Sequence, residues 1–181
     1  IGDHDAARPG VVARGVSEAP DFLPRRVDGV DAAVEASEEH LGTGPIREHV
    51  GDGDIYAEGL DHLIFAAKRN TDITVIVHDN QVYGLTTGQY TPTSPTGFRG
   101  RSTPRGVAEH PMNPLEVMLA AGATHIARGY TRKTRHLKDV FKEAIMHRGF
   151  SFVDVLQICA TYSNLTDYYD AHVYEMQDGE L

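Results

Sequence analysis

Continuous apolar runs in the second half of this sequence constrain its fold most strongly. The segments at 73–79, Ile-Thr-Val-Ile-Val-His-Asp, and at 151–162 lack the apolar–polar alternation of a half-exposed strand, and a third strand is predicted at 124–130. Strands of this kind are typical of a sheet that is covered on both faces. Helical patterns separate them, at 56–70, 113–123 and 136–149. The sequence therefore predicts an α/β fold with a parallel sheet and helices on both faces.

Charge and cysteine content exclude several classes of function. The formal net charge of -9 argues against a nucleic-acid partner, because phosphate-backbone binding needs clustered Lys and Arg. No apolar stretch is long enough to span a bilayer, so no membrane association is expected, and the first residues lack a secretory pattern. A single cysteine cannot form an internal disulfide. We therefore expect a cytoplasmic protein.

Two polar turns are predicted at the carboxyl ends of neighbouring strands. Gly-Asp-Gly-Asp at 51–54 follows a weak strand pattern in residues 42–50, and Asp79 and Asn80 follow the strand at 73–79. Ligands of open parallel sheets bind beyond the carboxyl ends of the strands. Asp52 and Asn80 can each supply an oxygen to Mg²⁺, with a backbone carbonyl of the next turn as a third ligand. Each turn alone is a common surface turn, and only the pair indicates a shared cation site.

These two turns resemble the thiamine diphosphate signature, in which a Gly-Asp-Gly turn and a later Asn jointly hold the Mg²⁺ of the cofactor's diphosphate. Residues 51–162 are further similar to the β subunit of the 2-oxoacid:ferredoxin oxidoreductases. The similarity lies in the segments GDGD, HLIFAAKRN, DITVIVHDNQVYGLTTGQYTPTSPTG, NPLEVMLAAGAT and GFSFVDVLQIC. It implies a thiamine diphosphate-binding domain over residues 46–162.

The resemblance assigns a role to individual residues of the two turns. It implies that Mg²⁺ is held by the side chains of Asp52 and Asn80 and by the carbonyl of Val82. It further implies that three residues contact the cofactor's diphosphate, namely Gly53, Asp54 and Gly84.

The residues after Gly84 would line the rest of the cofactor pocket. Leu85 would lie against the cofactor, where a bulky apolar side chain can hold the two rings in their bent form, and ordinary core packing is the alternative. Thr86 would contact the cofactor at the pocket mouth, together with Thr87 and Gln89. His78 is expected to be a solvated histidine at the rim.

The resemblance implies oxidative decarboxylation of a 2-oxoacid to an acyl-CoA, with electrons passed to ferredoxin. The expected partners are an α subunit, ferredoxin, coenzyme A and the 2-oxoacid, and the residues do not distinguish pyruvate from 2-oxoglutarate. The carboxylate that activates the cofactor would come from the partner subunit, so no catalytic base is assigned in this chain.

The lone cysteine, Cys159, matches the last of four cysteines that ligate a [4Fe–4S] cluster in the family. The other three are missing from this sequence, and four thiolates are the usual requirement. We therefore expect Cys159 to be an inert thiol buried in the last strand.

Segments on either side of the predicted domain fall outside the resemblance. Residues 1–45 contain few large apolar side chains, which predicts either a disordered segment or a reading-frame change in the gene. Residues 163–181 are predicted to be a C-terminal arm.

Three interpretations of function stay open at this point. The first is an oxidoreductase β subunit that works with its α partner. The second is a non-catalytic remnant or assembly module that keeps the fold and lacks the cluster. The third is a cluster-free thiamine diphosphate enzyme, such as a decarboxylase or a synthase.

Overall fold

A computed structural model describes residues 46–175 of the chain. The strands are β1 (Ile46–Gly51), β2 (Ile73–Asp79), β3 (Val82–Tyr83), β4 (Gln89–Tyr90), β5 (His125–Tyr130) and β6 (Ser151–Leu156). The helices are α1 (Leu60–Lys68), α2 (Pro114–Ala121), α3 (Thr134–Met146) and α4 (Thr166–His172), and a π-helical turn at Asp54–Glu58 precedes α1.

Four of the strands form one parallel sheet in the order β1-β2-β6-β5. Strand β2 lies between β1 and β6. Its first residue, Ile73, pairs with β1, and its last residue, Asp79, pairs with β6. Strands β3 and β4 form a separate antiparallel hairpin beyond the sheet. The parallel α/β architecture predicted from the sequence is confirmed.

Helices cover both faces of this sheet, as the unalternating strands predicted. On one face, Leu63 of α1 and Met118 of α2 pack against Val77 and Phe152 in one apolar cluster. On the other face, α3 presents Val140 and Ala144, which pack against Ile76, Ala127, Val153 and Val155. All six residues of β6 are buried, which explains why this strand has no polar face.

Helix α2 shows how local sequence signals set the bounds of an element. Asn113 is its N-cap and accepts a hydrogen bond from the backbone N–H of Leu115, with Pro114 in the first turn. Gly122 ends the helix at φ 86°, in the left-handed region that glycine adopts at low cost. The helix predicted over 113–123 therefore forms as expected, with its ends trimmed.

Several predicted elements differ in extent from those in the structure. The helix predicted over 56–70 is interrupted at Gly59, where the π-helical turn ends and α1 begins. Helix α3 begins two residues before its predicted start. The last strand, predicted over 151–162, ends at Leu156, because the chain then leaves the sheet.

The segment after β6 folds back onto the end of the sheet. Tyr169 of α4 is buried against Tyr130 and Leu156. Residues 163–175, predicted to be part of an arm, thus contact the domain. The predictions for residues 1–45 and for 176–181 lie outside the described residues. No helix of the described range is long and apolar enough to cross a membrane.

Candidate cofactor and metal site

Asp52 and Asp79 lie at the same edge of the sheet, where β1 and β2 end. Gly51 pairs with His78 in the parallel register. The residues that follow them, Asp52 and Asp79, therefore lie beside each other at the end of the two strands. Both carboxylates are buried, with 2% and 1% of the residue surface exposed. The edge that the sequence predicted for ligand binding therefore carries two buried acids on adjacent strands.

Two threonine hydroxyls hold the Asp52 carboxylate. Thr91 donates its hydroxyl proton to Oδ2 of Asp52 at 2.6 Å, and the hydroxyl of Thr93 lies 3.2 Å from the same oxygen. Both threonines are buried. The backbone N–H groups of Gly53 and of Asp52 itself also hydrogen-bond to this carboxylate. Within the part of the chain that the structure describes, no side-chain hydrogen bond reaches Oδ1 of Asp52, which is therefore the candidate cation ligand.

The same Thr93 hydroxyl joins Asp52 to Asp79. It donates to Oδ1 of Asp79 at 2.8 Å. Burial raises the pKa of Asp79 well above its usual range, and the nearby carboxylates of Asp154 and Asp52 raise it further. Burial also raises the pKa of Asp52, although its hydrogen bonds from Thr91 and Thr93 oppose the rise. The two carboxylates therefore lie close enough to disfavour each other's ionised form, and a cation between them would offset that repulsion.

Asn80 forms a tight turn with the residues that follow it. Its Oδ1 accepts a hydrogen bond from the backbone N–H of Val82 at 3.0 Å, and Gln81 between them has φ 61°. Asn80 therefore forms an Asx turn, the ordinary turn that its sequence context also predicted. An amide oxygen has two lone pairs, so Oδ1 of Asn80 can accept this hydrogen bond and still bind a metal ion.

The donors at this edge match the preference of Mg²⁺. Oδ1 of Asp52, Oδ1 of Asn80 and the carbonyl of Val82 are all hard oxygen donors. Among residues 46–175 no group of three or more His, Cys, Asp or Glu side chains is placed to hold a metal ion. A metal site built from three such side chains is therefore not found in this range, and a site at this edge would need Asn80 and a backbone carbonyl as ligands beside Asp52.

Tyr83 packs directly over Gly53. Its hydroxyl donates to the carbonyl oxygen of Gly53 at 2.8 Å. A Cβ at position 53 would lie 2.3 Å from the nearest ring carbon, so only glycine fits beneath this ring. Gly53 is buried, whereas Asp54, the other predicted diphosphate contact in this turn, is exposed.

The residues predicted to face the cofactor beyond β3 are accessible. Leu85 is 99% exposed, so the alternative of ordinary core packing for this residue is wrong. Thr86 is also exposed and donates to Oε1 of Gln89 at 2.7 Å. The Thr87 hydroxyl accepts a hydrogen bond from Arg101, and Thr87 has φ 79°, which is uncommon for a β-branched residue.

Cys159 lies next to this site and not inside the last strand. Its backbone pairs with Ser163 in an isolated bridge, three residues beyond the end of β6 at Leu156. The side chain is partly exposed, and a Cβ added at Gly84 would lie 3.5 Å from its sulfur. The prediction of a thiol buried in the strand is therefore wrong, because the chain turns away from the sheet before it reaches residue 159.

His78 does not face Asp52. Neighbouring residues of a strand point to opposite faces, and Asp79 takes the face that carries the two carboxylates. The ring of His78 lies 3.3 Å from the imidazole of His49 and 3.3 Å from Oε1 of Gln157. This histidine is therefore partnered by side chains and is only half-buried.

A buried ionic network lies behind Asp79. Asp154 on β6 is fully buried and accepts from the hydroxyl of Tyr56 and from Nε of Arg128, both at 2.6 Å. Burial raises the pKa of Tyr56 well above its usual range, and the charges of Asp154 and Asp79 add to this effect. Arg128 is thus the positive charge that faces the buried acids from the β5 side.

Four residues of this site had no assigned role in the sequence. They are Asp79, Tyr83, Thr91 and Thr93. The only sequence signal for the threonines is the segment Thr-Pro-Thr-Ser at 91–94, which carries three hydroxyl residues in a long loop. A loop has no periodicity that reveals what its side chains contact.

The comparison with known families agrees with this geometry. Residues 38–155 match the family described as "Thiamine pyrophosphate enzyme, C-terminal TPP binding domain". The chain is 43% identical over 130 residues to a 2-oxoacid:ferredoxin oxidoreductase subunit beta from Saccharolobus solfataricus. It is 44% identical over 112 residues to the 2-oxoglutarate synthase subunit KorB of Methanothermobacter thermautotrophicus.

These matches cover most of this chain and less than half of the relatives. They include 71% of the chain and 43% of the Saccharolobus protein, and 62% of the chain and 39% of the Methanothermobacter protein.

A solved structure shows the same fold. The 2-oxoglutarate:ferredoxin oxidoreductase from Magnetococcus marinus, with 2-oxoglutarate, coenzyme A and succinyl-CoA bound, superposes with a TM-score of 0.72 at 33% identity. The match covers 83% of this chain and 53% of that one. From its sequence match and its fold, the chain belongs to the thiamine pyrophosphate enzymes and carries their C-terminal TPP-binding domain, in the form similar to that of 2-oxoacid:ferredoxin oxidoreductase β subunits.

Proposed function

We propose that this chain is the thiamine diphosphate-binding β subunit of a 2-oxoacid:ferredoxin oxidoreductase. The observation that carries the proposal is the pair of turns at Asp52 and Asn80, which end neighbouring strands and are joined through Thr93 and Asp79. The similarity to named β subunits supports the same assignment. The activity would convert a 2-oxoacid and coenzyme A to an acyl-CoA, with electrons passed to ferredoxin and an α subunit as the partner.

The side chains at the sheet edge suit the binding of a diphosphate through a cation. Asp52 and Asn80 would hold Mg²⁺ with the Val82 carbonyl, and the cation would neutralise both the buried carboxylates and the diphosphate. Gly53, Asp54 and Gly84 would lie beside the diphosphate. Leu85 and Thr86, which are both exposed, would lie against the cofactor.

When bound, thiamine diphosphate would supply the carbon nucleophile and the electron sink that decarboxylation of a 2-oxoacid needs. The protein's part is to bind the cofactor, orient it and exclude water. We assign no catalytic base in this chain, and by resemblance the activating carboxylate would belong to the α partner.

An iron–sulfur cluster does not fit the residues of this chain alone. The sequence has one cysteine, and a [4Fe–4S] cluster usually takes four thiolates. Cys159 could be a single ligand only. The single cysteine also favours the second candidate function, a non-catalytic module that keeps the fold and the subunit surface.

Calorimetric titration of the chain with thiamine diphosphate, in MgCl₂ and with or without an α subunit, tests the proposal. We expect saturable binding that EDTA abolishes, and a loss of at least tenfold in affinity for Asp52→Ala or Asn80→Ala, because each removes a metal ligand. His49→Ala, on the opposite face of the sheet, is the matched control. Equal binding by wild type and both variants would refute the metal assignment.

Turnover separates the two candidate functions. With the α subunit present, an active β subunit should reduce ferredoxin when supplied with a 2-oxoacid and coenzyme A. Cofactor binding without turnover would favour the non-catalytic module.

A further inference from the structure

One short loop segment, Thr91–Ser94, contacts both turns of the candidate metal site. On one side, the hydroxyls of Thr91 and Thr93 reach Oδ2 of Asp52. On the other side, Thr93 donates to Asp79, and the hydroxyl of Ser94 donates to the carbonyl oxygen of Gln81 at 2.6 Å. Gln81 lies between the two predicted ligands of the second turn. The segment therefore fixes the distance between the turn of Asp52 and the turn of Asn80.

The segment is itself held in one conformation. The hydroxyl of Ser94 accepts from the backbone N–H of Thr91 at 2.8 Å, and the Ser94 N–H donates to the Thr91 carbonyl at 3.0 Å. The segment also contacts the end of the long loop, where the backbone N–H of Met112 donates to the carbonyl of Pro92 at 2.8 Å. Thr91, Thr93 and Ser94 are all buried. Their hydroxyl groups are thus buried groups with fixed partners.

Each threonine hydroxyl has one proton, which limits the hydrogen bonds that it can donate to Asp52 and Asp79. Thr91 has one hydroxyl proton, which its short contact directs to Oδ2 of Asp52. Thr93 has one proton as well, and the shorter of its two carboxylate contacts directs that proton to Asp79. Oδ2 is therefore occupied, while no side chain in the described part of the protein reaches Oδ1. The two threonine hydroxyls therefore restrict rotation of the Asp52 carboxylate and leave Oδ1 without a side-chain donor in this range.

The structure also provides no positive side chain for Asp52 within residues 46–175. The ion pairs of buried acids in this range include Arg128 with Asp154, and none includes Asp52. A carboxylate that is buried, hydrogen-bonded on one oxygen and without a cationic side chain is suited to a metal ion.

We propose that Thr91 and Thr93 are positioning residues for the divalent cation and set its selectivity. Mg²⁺ needs near-ideal octahedral geometry at short distances, whereas Ca²⁺ accepts longer and more variable ones. If the segment keeps Asp52 and Asn80 from moving apart, the larger Ca²⁺ with its longer ligand distances would be disfavoured. The inference rests on the proposed function, because it concerns the cation that would hold thiamine diphosphate.

The test measures thiamine diphosphate binding to the full chain by calorimetry, with MgCl₂ and, separately, CaCl₂. Thr91→Val and Thr93→Val keep the side-chain shape and remove the hydroxyl. Thr93→Ser restores the hydroxyl, and Thr96→Val is the matched control, because Thr96 lies in the same loop and donates only to the carbonyl of Glu109.

We expect each valine variant to lower the Mg²⁺-supported affinity about 10- to 100-fold, the range typical for loss of an outer-shell partner of a metal ligand. The thiamine diphosphate affinity measured in CaCl₂ should fall several-fold less than the affinity measured in MgCl₂. The ratio of the two affinities, which expresses the preference for Mg²⁺, should therefore decrease. Thr93→Ser and Thr96→Val should keep both the affinity and the preference of the wild type.

Equal loss with both ions, or an unchanged Mg²⁺ affinity in the valine variants, would overturn the inference while leaving the proposed function intact. Absence of metal-dependent binding in the wild type would overturn both. If Thr93→Val does not fold, as judged by its thermal transition without ligand, Thr91→Val still decides the question, because Asp79 keeps its hydroxyl donor in that variant.

Discussion

The hydroxyl of Tyr83 donates to the carbonyl oxygen of Gly53, and its ring covers the side of Gly53 on which any other residue would carry a Cβ. The aromatic residue of the second turn therefore fixes the backbone of the first. This contact explains why the turn that carries Asp52 needs glycine at its next position.

Gly53→Ala should destabilise the protein and weaken cofactor binding, because the new Cβ would lie 2.3 Å from a ring carbon of Tyr83. Overpacking of this kind costs about 1–3 kcal/mol in unfolding free energy. Tyr83→Phe removes only the hydrogen bond and should cost about 1 kcal/mol. Urea denaturation of both variants measures the difference, and an equal loss in the two would contradict the steric explanation.

Leu85→Ala should separate stability from binding. Leu85 is almost fully exposed, so the unfolding free energy should change by less than about 0.5 kcal/mol. If the side chain packs on the cofactor, the thiamine diphosphate affinity should fall about tenfold, as expected for lost apolar burial. Leu119→Ala, an exposed leucine on α2, should change neither quantity. Calorimetry and denaturation on the same samples measure both, and unchanged binding by Leu85→Ala would remove this residue from the site.

Arg128→Met should be far more damaging than the corresponding change at Arg132. Arg128 pairs with the fully buried Asp154, and its loss leaves that carboxylate and the nearby Asp79 without a cation. Loss of one partner of a buried pair typically costs about 3–5 kcal/mol. Arg132 pairs with Asp170 at the surface, so Arg132→Met should cost at most about 1 kcal/mol. Similar midpoints of chemical denaturation for the two variants would show that the buried network contributes little.

His125 should make the protein less stable at acid pH. Burial and, to a smaller extent, the neighbouring imidazole of His147 lower the pKa of His125 from 6.5 to about 4. Its Nε2 is buried without a hydrogen-bond partner among the described residues. Because the folded state favours neutral His125, its stabilising contribution is complete above pH 6.5. It is lost as the pH falls towards 4, where the unfolded chain is protonated and the folded chain is not.

Unfolding free energy measured from pH 7 to pH 4 should therefore fall by about 2–3 kcal/mol more in the wild type than in His125→Gln. His62→Gln is the control, because His62 is exposed on α1 and should follow the wild type. Identical pH dependence in the wild type and His125→Gln would show that His125 is not the group responsible.

Much of the fold could be predicted because the relevant signals are local. The unbroken run of β2 predicts a doubly covered strand, and Asn113, Pro114 and Gly122 mark the ends of α2 before any tertiary contact is known. The edge position of Asp52 and Asn80 follows from the parallel order of the strands. The predicted helix over 56–70 missed the break at Gly59, where a tight turn separates two helical segments. The apolar spacing of these residues does not reveal that turn.

The contacts within the site could not be predicted, because they join residues that are far apart in the chain. Thr91 reaches Asp52 and Thr93 reaches Asp79 across a loop without regular structure. Cys159 shows the same limit, since an apolar sequence pattern continued past the residue at which the chain leaves the sheet.

The long sequence separation between Asp52 and Thr91 also bears on how a cation would leave. A loop can open locally at a lower free energy than the global transition, but Thr91, Thr93 and Ser94 are buried and hydrogen-bonded to both turns, so their contacts must break first. If this loop opens while the four-stranded sheet stays intact, the first turn loses its hydroxyl donors and the second turn loses its contact with Ser94 together. Exchange of an ion at this edge would then depend on the free energy of opening this one segment.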